Sequence, residues 1–349
     1  MPDASRMARY ALGAAIGLAG ALIFVALRLP LPWFLGALAG TFVASVAGVR
    51  FLPPSILADP VRAILGVAVG AAFTPEILSR FGPMALSLSL ILPWVAIIVV
   101  TGTFVFSRLF GIDRKTALFA SVPGGLTDMV AMAEDARANV RTVTLIQLTR
   151  IALLVFLLPL YIQWHDGLTV TNLAFAAKSH VWDMSLRDGA ELLGMSIVGI
   201  WIARRLRIAG PAIVGPMIVS AIAHASGVSA VKVPFELMVV AQVTLGILLG
   251  AQFRGLTRLE FRTTMLAGFV FTTILLAMTP LLAAFVEWLT GFRGAPVIMA
   301  FAPGGQAEIN LLALTLDLDI AFIALHHLVR LAVVMGIAQV IARSGTPPD

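Results

Sequence analysis

Long apolar segments separated by short charged clusters constrain this chain more than any other feature. Most have 17 to 25 residues, the length that an α-helix needs to cross about 30 Å of hydrocarbon. Only 12% of the residues are charged, about half the share in a soluble domain. No alternating pattern indicates a barrel, so the sequence predicts an all-α integral membrane protein. The twelve segments are 10–28, 33–50, 56–74, 84–107, 116–133, 141–161, 190–204, 211–230, 236–253, 263–289, 296–314 and 320–342.

Composition excludes several classes of function. The chain has no cysteine, which rules out disulfides, thiolate metal sites and cysteine nucleophiles. Its five histidines form no ligand pattern, so we expect neither a metal site nor another cofactor. The net charge of +6 lies in clusters between the apolar segments, where it acts as a topology determinant instead of a nucleic-acid surface.

The two halves of the chain repeat one another at a nearly constant offset. Chance would not hold this register, so we predict a duplication. We divide the chain into membrane repeat 1 (1–161), a periplasmic linker (162–189) and membrane repeat 2 (190–349). At an offset of 180 residues, Gly66–Phe73 matches Gly246–Phe253, Pro123–Met129 matches Pro303–Ile309 and Arg150 matches Arg330; at 179, Pro32–Gly36 matches Pro211–Gly215.

The distribution of basic residues predicts the orientation of the two repeats. If all twelve segments cross, the two sides carry 12 and 10 Lys or Arg, which is no bias. If the Pro-Gly-Gly segments 116–136 and 296–316 turn back as hairpins, the numbers become 16 and 6. Cytoplasmic loops are enriched in Lys and Arg. We therefore predict inverted-topology repeats of about five spans each, both termini cytoplasmic, in a bacterial inner (plasma) membrane. Whether the Pro-Gly-Gly segments are re-entrant hairpins or crossing broken helices stays open.

The two Pro-Gly-Gly breaks are the first candidate binding elements. Proline removes a backbone donor, and the glycine pairs Gly124–Gly125 and Gly304–Gly305 permit backbone angles that other residues do not tolerate. A half-helix that begins after each break points free N–H groups into the protein, which is an anion-binding arrangement. Gly66, Gly70, Gly246 and Gly250 have a different role, as small-residue helix contacts.

Charged residues lie at similar depth near the breaks. We place Asp128 and Arg150, and by the repeat Glu308 and Arg330, near the middle of the membrane, where an unpaired charge is costly. In one interpretation the acids pair with the arginines as structural locks. In the other, the arginines bind a substrate carboxylate while Asp128 and Glu308 bind a proton or a coupling cation. The neighbouring polar residues are Thr127, Gln147, Gln306, Asn310 and His327, of which His327 is either a proton relay or a hydrogen-bonded core histidine.

The duplicated segments resemble a known family. Ala120–Met129 and Ala300–Ile309 share the pattern Ala-x-x-Pro-Gly-Gly-x-x-(Asp/Glu)-(Met/Ile), which resembles the AbrB-duplication family of bacterial inner-membrane proteins. The resemblance covers nearly the whole chain. That family is described as a regulator of gene expression and in places as an ammonia monooxygenase, and it looks related to the cation–proton antiporter and anion transporter superfamily. The resemblance implies a membrane location and a carrier-like fold.

Three functions follow as hypotheses. We expect a secondary transporter of a small, anionic organic solute, coupled to protons or sodium and not an enzyme. The alternative is a membrane protein that regulates gene expression indirectly by sensing or moving a solute. A monooxygenase is disfavoured because metal ligands are lacking. We expect lipid and a small solute as partners, with a homodimer as an open option. Direct nucleic-acid binding is not expected, because no segment outside the membrane is long enough for a DNA-binding domain.

Overall fold

The structure is a computed structural model that describes residues 4–75, 80–167 and 179–344. All regular structure in these residues is helical. The helices are α1 (Ala4–Ala26), a π-turn (Pro32–Gly36) that continues into α2 (Ala37–Val46), α3 (Ala58–Gly70), α4 (Phe81–Ser89), α5 (Ile91–Leu109), α6 (Arg114–Ser121), α7 (Leu126–Asp135), α8 (Val140–Asp166), α9 (Leu186–Arg205), α10 (Pro211–Ala225), α11 (Phe235–Gly250), a π-turn (Phe261–Met265) that continues into α12 (Leu266–Thr290), α13 (Ala295–Phe301), α14 (Gln306–Thr315) and α15 (Ile320–Ser344).

Six helical stretches are long and apolar enough to cross a membrane: Ser5–Ala26, Gly82–Leu109, Val140–Trp164, Phe235–Phe253, Arg262–Thr290 and Ile320–Ile337. Two shorter apolar stretches are Pro32–Val46 and Pro211–Ala225. The expectation of an all-helical, membrane-type protein is confirmed. Within the stretch 162–189, which we predict to be a linker, α8 continues to Asp166 and α9 begins at Leu186; residues 168–178 lie outside the described part of the chain.

Contacts divide the chain into two compact units, and neither unit is one of the sequence halves. The first unit contains Met1–Ile77, Pro159–Leu256 and Leu311–Leu318, so it holds α1–α3 together with α9–α11. The second contains Leu78–Leu158, Thr257–Asn310 and Asp319–Asp349, which include α4–α7, most of α8, α12, α13 and α15. Each unit therefore combines helices from both halves of the chain.

Glycines hold the helices of the first unit in close contact. A methyl group at Gly66 would clash with the carbonyl of Ile213 on α10, and one at Gly70 would clash with the carbonyl of Met217. Side chains at these positions would force α3 and α10 apart, so the packing role predicted for them is confirmed.

The second half repeats this contact with exchanged partners. Gly246 of α11 lies against the carbonyl of Phe34, and Gly250 lies against the carbonyl of Leu38 and the hydroxyl of Thr41. The packing role predicted for these two glycines is confirmed as well.

Polar contacts join helix ends within the first unit. An Nη atom of Arg204, at the end of α9, lies 2.7 Å from Oδ2 of Asp59 at the start of α3. Arg254, just beyond α11, donates to the carbonyl of Phe51 at 2.5 Å. Glu236, at the opposite end of α11, accepts a hydrogen bond from His180 at 2.7 Å.

In the second unit, contacts close the chain around each Pro-Gly-Gly break. The backbone N–H of Asn139, after α7, donates to the hydroxyl of Thr116 in the first turn of α6 at 2.9 Å. The rings of Phe292, before α13, and Phe322, after α14, have centroids 4.9 Å apart. In each of the helix pairs α6–α7 and α13–α14, the start of the first helix therefore lies close to the end of the second.

Candidate functional site: two helix breaks with buried arginines

Each break begins at the residue before the proline. Val122 follows α6 with φ −61° and ψ 125°, and Ala302 follows α13 with φ −62° and ψ 128°. Proline sterically disfavours the helical conformation of the preceding residue, which explains why both helices stop there. The helices resume at Leu126 and Gln306. Carbonyl groups at the ends of α6 and α13 therefore lack intrahelical partners.

The glycines of the breaks do not adopt unusual backbone angles, which corrects our expectation, but neighbouring side chains occupy the space beside them. None of Gly124, Gly125, Gly304 and Gly305 has a positive φ, and Gly125 adopts φ −64° and ψ 135°. A β-carbon at Gly124 would lie 2.8 Å from the side chain of Met129, and one at Gly304 would lie 2.7 Å from a side-chain carbon of Ile309.

The other glycine of each pair makes room for an acid. A β-carbon at Gly125 would lie 2.8 Å from Oδ2 of Asp128, and one at Gly305 would overlap the carboxylate of Glu308. Each acid is the third residue of its helix and folds back toward the N-cap glycine. A carboxyl group in this place faces the positive end of the helix dipole.

At the first break, Gln147 and Arg150 of α8 replace the missing helix bonds. Gln147 donates from Nε2 to the carbonyls of Phe119 and Val122, at 3.0 and 2.9 Å. Arg150 donates to Val122 O at 3.3 Å and to Oε1 of Gln147 at 2.5 Å. Its Nε has no partner although the residue is fully buried.

At the second break, His327 and Arg330 of α15 occupy the equivalent places. His327 Nε2 lies 3.0 Å from the carbonyl of Met299, and because a carbonyl only accepts, Nε2 carries the hydrogen. Nδ1 is therefore an acceptor in the neutral ring, and it is buried without a partner. Arg330 donates to Ala302 O at 2.6 Å and to Gly304 O at 2.7 Å.

The two guanidinium groups are buried close enough to repel one another. Every hydrogen bond that they make within the described residues ends on a backbone carbonyl or on Gln147. None of these bonds goes to Asp128 or Glu308, the acids that one interpretation pairs with the arginines. The breaks are held by arginine–carbonyl bonds.

Further polar groups lie along α14, directly after the second break. Nε2 of Gln306 is buried without a partner, and both Nδ2 and Oδ1 of Asn310 are in the same state. Asn310 has no exposed surface and follows Gln306 by one turn, so the two share a helix face. Leu126 and Val130, their counterparts 180 residues earlier, are apolar. The side chain of Thr127 lies outside the described part of the structure.

Two further side chains, which the sequence did not predict, form buried hydrogen bonds between helices of the second unit. Trp94 of α5 donates from Nε1 to the carbonyl of Phe301 at 2.8 Å, which satisfies another group at the end of α13. A tryptophan inside an apolar helix signals such a contact, because its N–H needs a partner. His326 bonds Phe322 O and Ser87 Oγ, at 2.8 and 2.9 Å, so it is a core histidine. The residues described contain no group of three potential metal ligands.

Comparison with known proteins places this architecture in a family. The family model described as "Transition state regulatory protein AbrB" matches residues 33–345. A protein of Escherichia coli (strain K12) named "Putative regulator AbrB" is 25% identical over 332 residues, covering 92% of this chain and 91% of that protein. "Uncharacterized protein YhjN" of Bacillus subtilis (strain 168) is 27% identical over 292 residues, which cover 78% of this chain and 74% of that protein. The chain, with its all-helical fold and paired helix breaks, therefore belongs to the AbrB family.

Proposed function

We propose that the protein is a membrane carrier, a secondary transporter that moves a small anionic organic solute past the two helix breaks. The observation that carries this proposal is the pair of buried guanidinium groups, Arg150 and Arg330, whose hydrogen bonds end on neutral oxygens. An uncompensated charge within a membrane costs several kcal/mol, and two like charges repel. An anion that binds beside these groups offsets both penalties.

The predicted re-entrant hairpins gain support from the chain closures. The Thr116–Asn139 hydrogen bond joins the start of α6 to the end of α7, and the Phe292–Phe322 ring contact does the same for α13 and α14. A segment that crossed the membrane would separate these ends by about 30 Å. Each Pro-Gly-Gly segment thus enters and leaves on one side, which brings a break with free backbone groups into the protein interior, the arrangement expected of a transporter site.

The inverted topology of the two repeats gains support from the glycine contacts. Gly66 and then Gly70 of α3 meet successively later residues of α10, so these two helices run in the same direction. The same progression holds for Gly246 and Gly250 of α11 along α2. Because α2 and α3 are consecutive and cross in opposite directions, α10, the counterpart of α2, runs opposite to α2. The topology that we propose has ten spans. Six of them are the long apolar stretches given above, and the other four are shorter or carry more charge.

Single-cysteine labelling tests the topology without any background, because the chain has no cysteine of its own. Lys232 and Arg262 are both exposed. In intact cells, a membrane-impermeant maleimide should label Lys232→Cys, and the matched control Arg262→Cys should react only after permeabilisation. The reverse pattern would contradict the hairpins, since it is what twelve crossings would give.

Solute binding tests the carrier itself. We expect at least one of a panel of carboxylates, phosphate and amino acids to raise the unfolding temperature of the purified protein in detergent, and simple amines, which are cations, to leave it unchanged. The same solute should exchange across proteoliposomes in counterflow. Asp128 is the first choice for proton or sodium coupling, with Glu308 and His327 as the other predicted coupling residues. Stabilisation by none of these solutes would overturn the proposal.

A regulatory role is the second candidate. It is favoured by the description of the matching family and by the name of the E. coli relative. The described parts outside the helices are short, so such a role would act through the concentration of the solute in the cell. Deleting the gene and supplying the solute should then change the same transcripts, whereas equal expression of these transcripts with and without the gene would exclude the indirect route.

A further inference from the structure

We infer that the ligand is a small monocarboxylate that also carries a hydroxyl group, with Arg150 binding the carboxylate, Asn310 binding the hydroxyl and Arg330 acting as a positioning residue. This inference rests on the carrier function proposed above and assigns a substrate class to its site. It follows from which polar atoms at the second break have partners and which have none.

Arg330 is committed to the backbone. Its two Nη atoms donate to Ala302 O and Gly304 O at 2.6 and 2.7 Å, short charge-assisted bonds to two carbonyls on either side of Pro303. No other side chain of the described residues bonds to these two carbonyls. Arg330 therefore shapes the second break, and its loss would leave two buried acceptors unsatisfied.

Arg150 has a hydrogen-bond donor to spare. Gln147 already binds Val122 O, so the 3.3 Å bond from Arg150 to that oxygen is an additional and longer one. The neutral amide of Gln147 holds one Nη of Arg150 at 2.5 Å and leaves its charge uncompensated. Its Nε–H is buried without a partner. Nε and an adjacent Nη–H can together bind one carboxylate.

Arg150 also lies close to the second break. Its charge interacts with that of Arg330, which binds Gly304. One turn further along α8, Leu154 is 3.9 Å from where a β-carbon of Gly304 would stand. The start of α14, with Gln306 and Asn310, follows Gly304 directly in the chain.

The remaining open atoms include acceptors, and this limits the ligand. Asn310 presents a donor and an acceptor without partners, and His327 presents the acceptor Nδ1. A carboxylate supplies only acceptors, so a dicarboxylate would leave Oδ1 of Asn310 unpaired. A hydroxyl both donates and accepts, and therefore complements Asn310. One carboxylate with one hydroxyl satisfies the open atoms of Arg150 and Asn310 together.

Binding of matched acids tests the ligand class. Lactate and glycerate should stabilise the purified full-length protein in detergent, and lactate should bind about tenfold more tightly than propionate, which lacks the hydroxyl. In Asn310→Leu, which replaces an unsatisfied buried amide by an apolar group of similar size, that ratio should fall to about one without a loss of thermal stability. Equal binding of propionate and lactate by the wild type, or an unchanged ratio in the variant, overturns the inference.

The equivalent arginines serve as each other's control. Arg150→Gln should keep its unfolding temperature without ligand and weaken lactate binding about 100-fold. Arg330→Gln should instead unfold several degrees lower without ligand. Reversed effects would contradict the division of roles. If phosphate or succinate stabilises the protein and the hydroxy acids do not, this inference fails while the carrier proposal stands; if no solute of either panel stabilises it, the carrier proposal fails.

Discussion

The two Pro-Gly-Gly breaks have the same backbone but are held by different side chains. In the first, Gln147 takes two carbonyls and also binds the arginine that follows it. In the second, His327 takes one carbonyl and Arg330 takes two. The carbonyl before the proline is therefore bound by the amide of Gln147 at the first break and by the guanidinium of Arg330 at the second. As a result, Arg150 keeps an unused donor.

This difference has a chemical meaning. Around the first break the residues after the glycines, Leu126 and Val130, are apolar, whereas Gln306 and Asn310 are their polar counterparts. The duplication that we predict would give both halves the same scaffold, so that one copy of a site keeps a structural role while the other acquires polar groups for a ligand. In the site that we propose, the first break contributes Arg150 and the second supplies the remaining contacts.

The largest stability effect should come from Gln147→Leu. The buried carbonyl of Phe119 would lose its donor and Arg150 would lose its acceptor, at about 1–3 kcal/mol for each unsatisfied group. Val122 O would also lose a bond, although it keeps those from Arg150 and from the N–H of Gly124. His327→Leu removes one hydrogen bond together with an acceptor that has no partner, so it should cost about 1–2 kcal/mol. Thermal unfolding in the same detergent compares the two variants. A cost for His327→Leu equal to or above that of Gln147→Leu would show that the two breaks are not held as we describe.

A smaller difference should separate the glycines. Gly304→Ala would press on Ile309, a branched and fully buried side chain, while Gly124→Ala would press on Met129, which is unbranched and adapts more easily. We expect Gly304→Ala to destabilise by about 1–3 kcal/mol and Gly124→Ala by less. Thermal unfolding of the two variants in the same detergent measures this difference. Equal losses of stability would show that Ile309 and Met129 adapt equally easily to the added methyl group.

The sequence predicted the course of the chain well, because membrane helices follow directly from apolar length. It also predicted which residues meet at the breaks, since Arg150, Arg330, Gln147 and His327 keep their register in the repeat. It left open what the arginines bind, because a carbonyl released by a proline carries no signature in the side chains. The unusual backbone angles expected of Gly125 are not found, and only the structure reveals that Asp128 folds back over it.

The smallest effect concerns an ion pair outside the membrane-spanning segments, which offers a contrast to the buried arginines. Glu260 accepts hydrogen bonds from Arg141, which lower its pKa to about 2. An acid with a lowered pKa stabilises the folded state above its unfolded pKa of about 4.5, and that contribution is lost as the pH falls toward 2. The unfolding temperature of the wild type should therefore fall more steeply than that of Glu260→Gln between pH 4.5 and 2, and only slightly, because exposed pairs are screened by solvent. Parallel curves would show that this pair does not contribute. A strong dependence of the unfolding temperature on pH would mean that this ion pair, which joins α8 to the segment before α12, stabilises the protein as much as the hydrogen bonds at the breaks do.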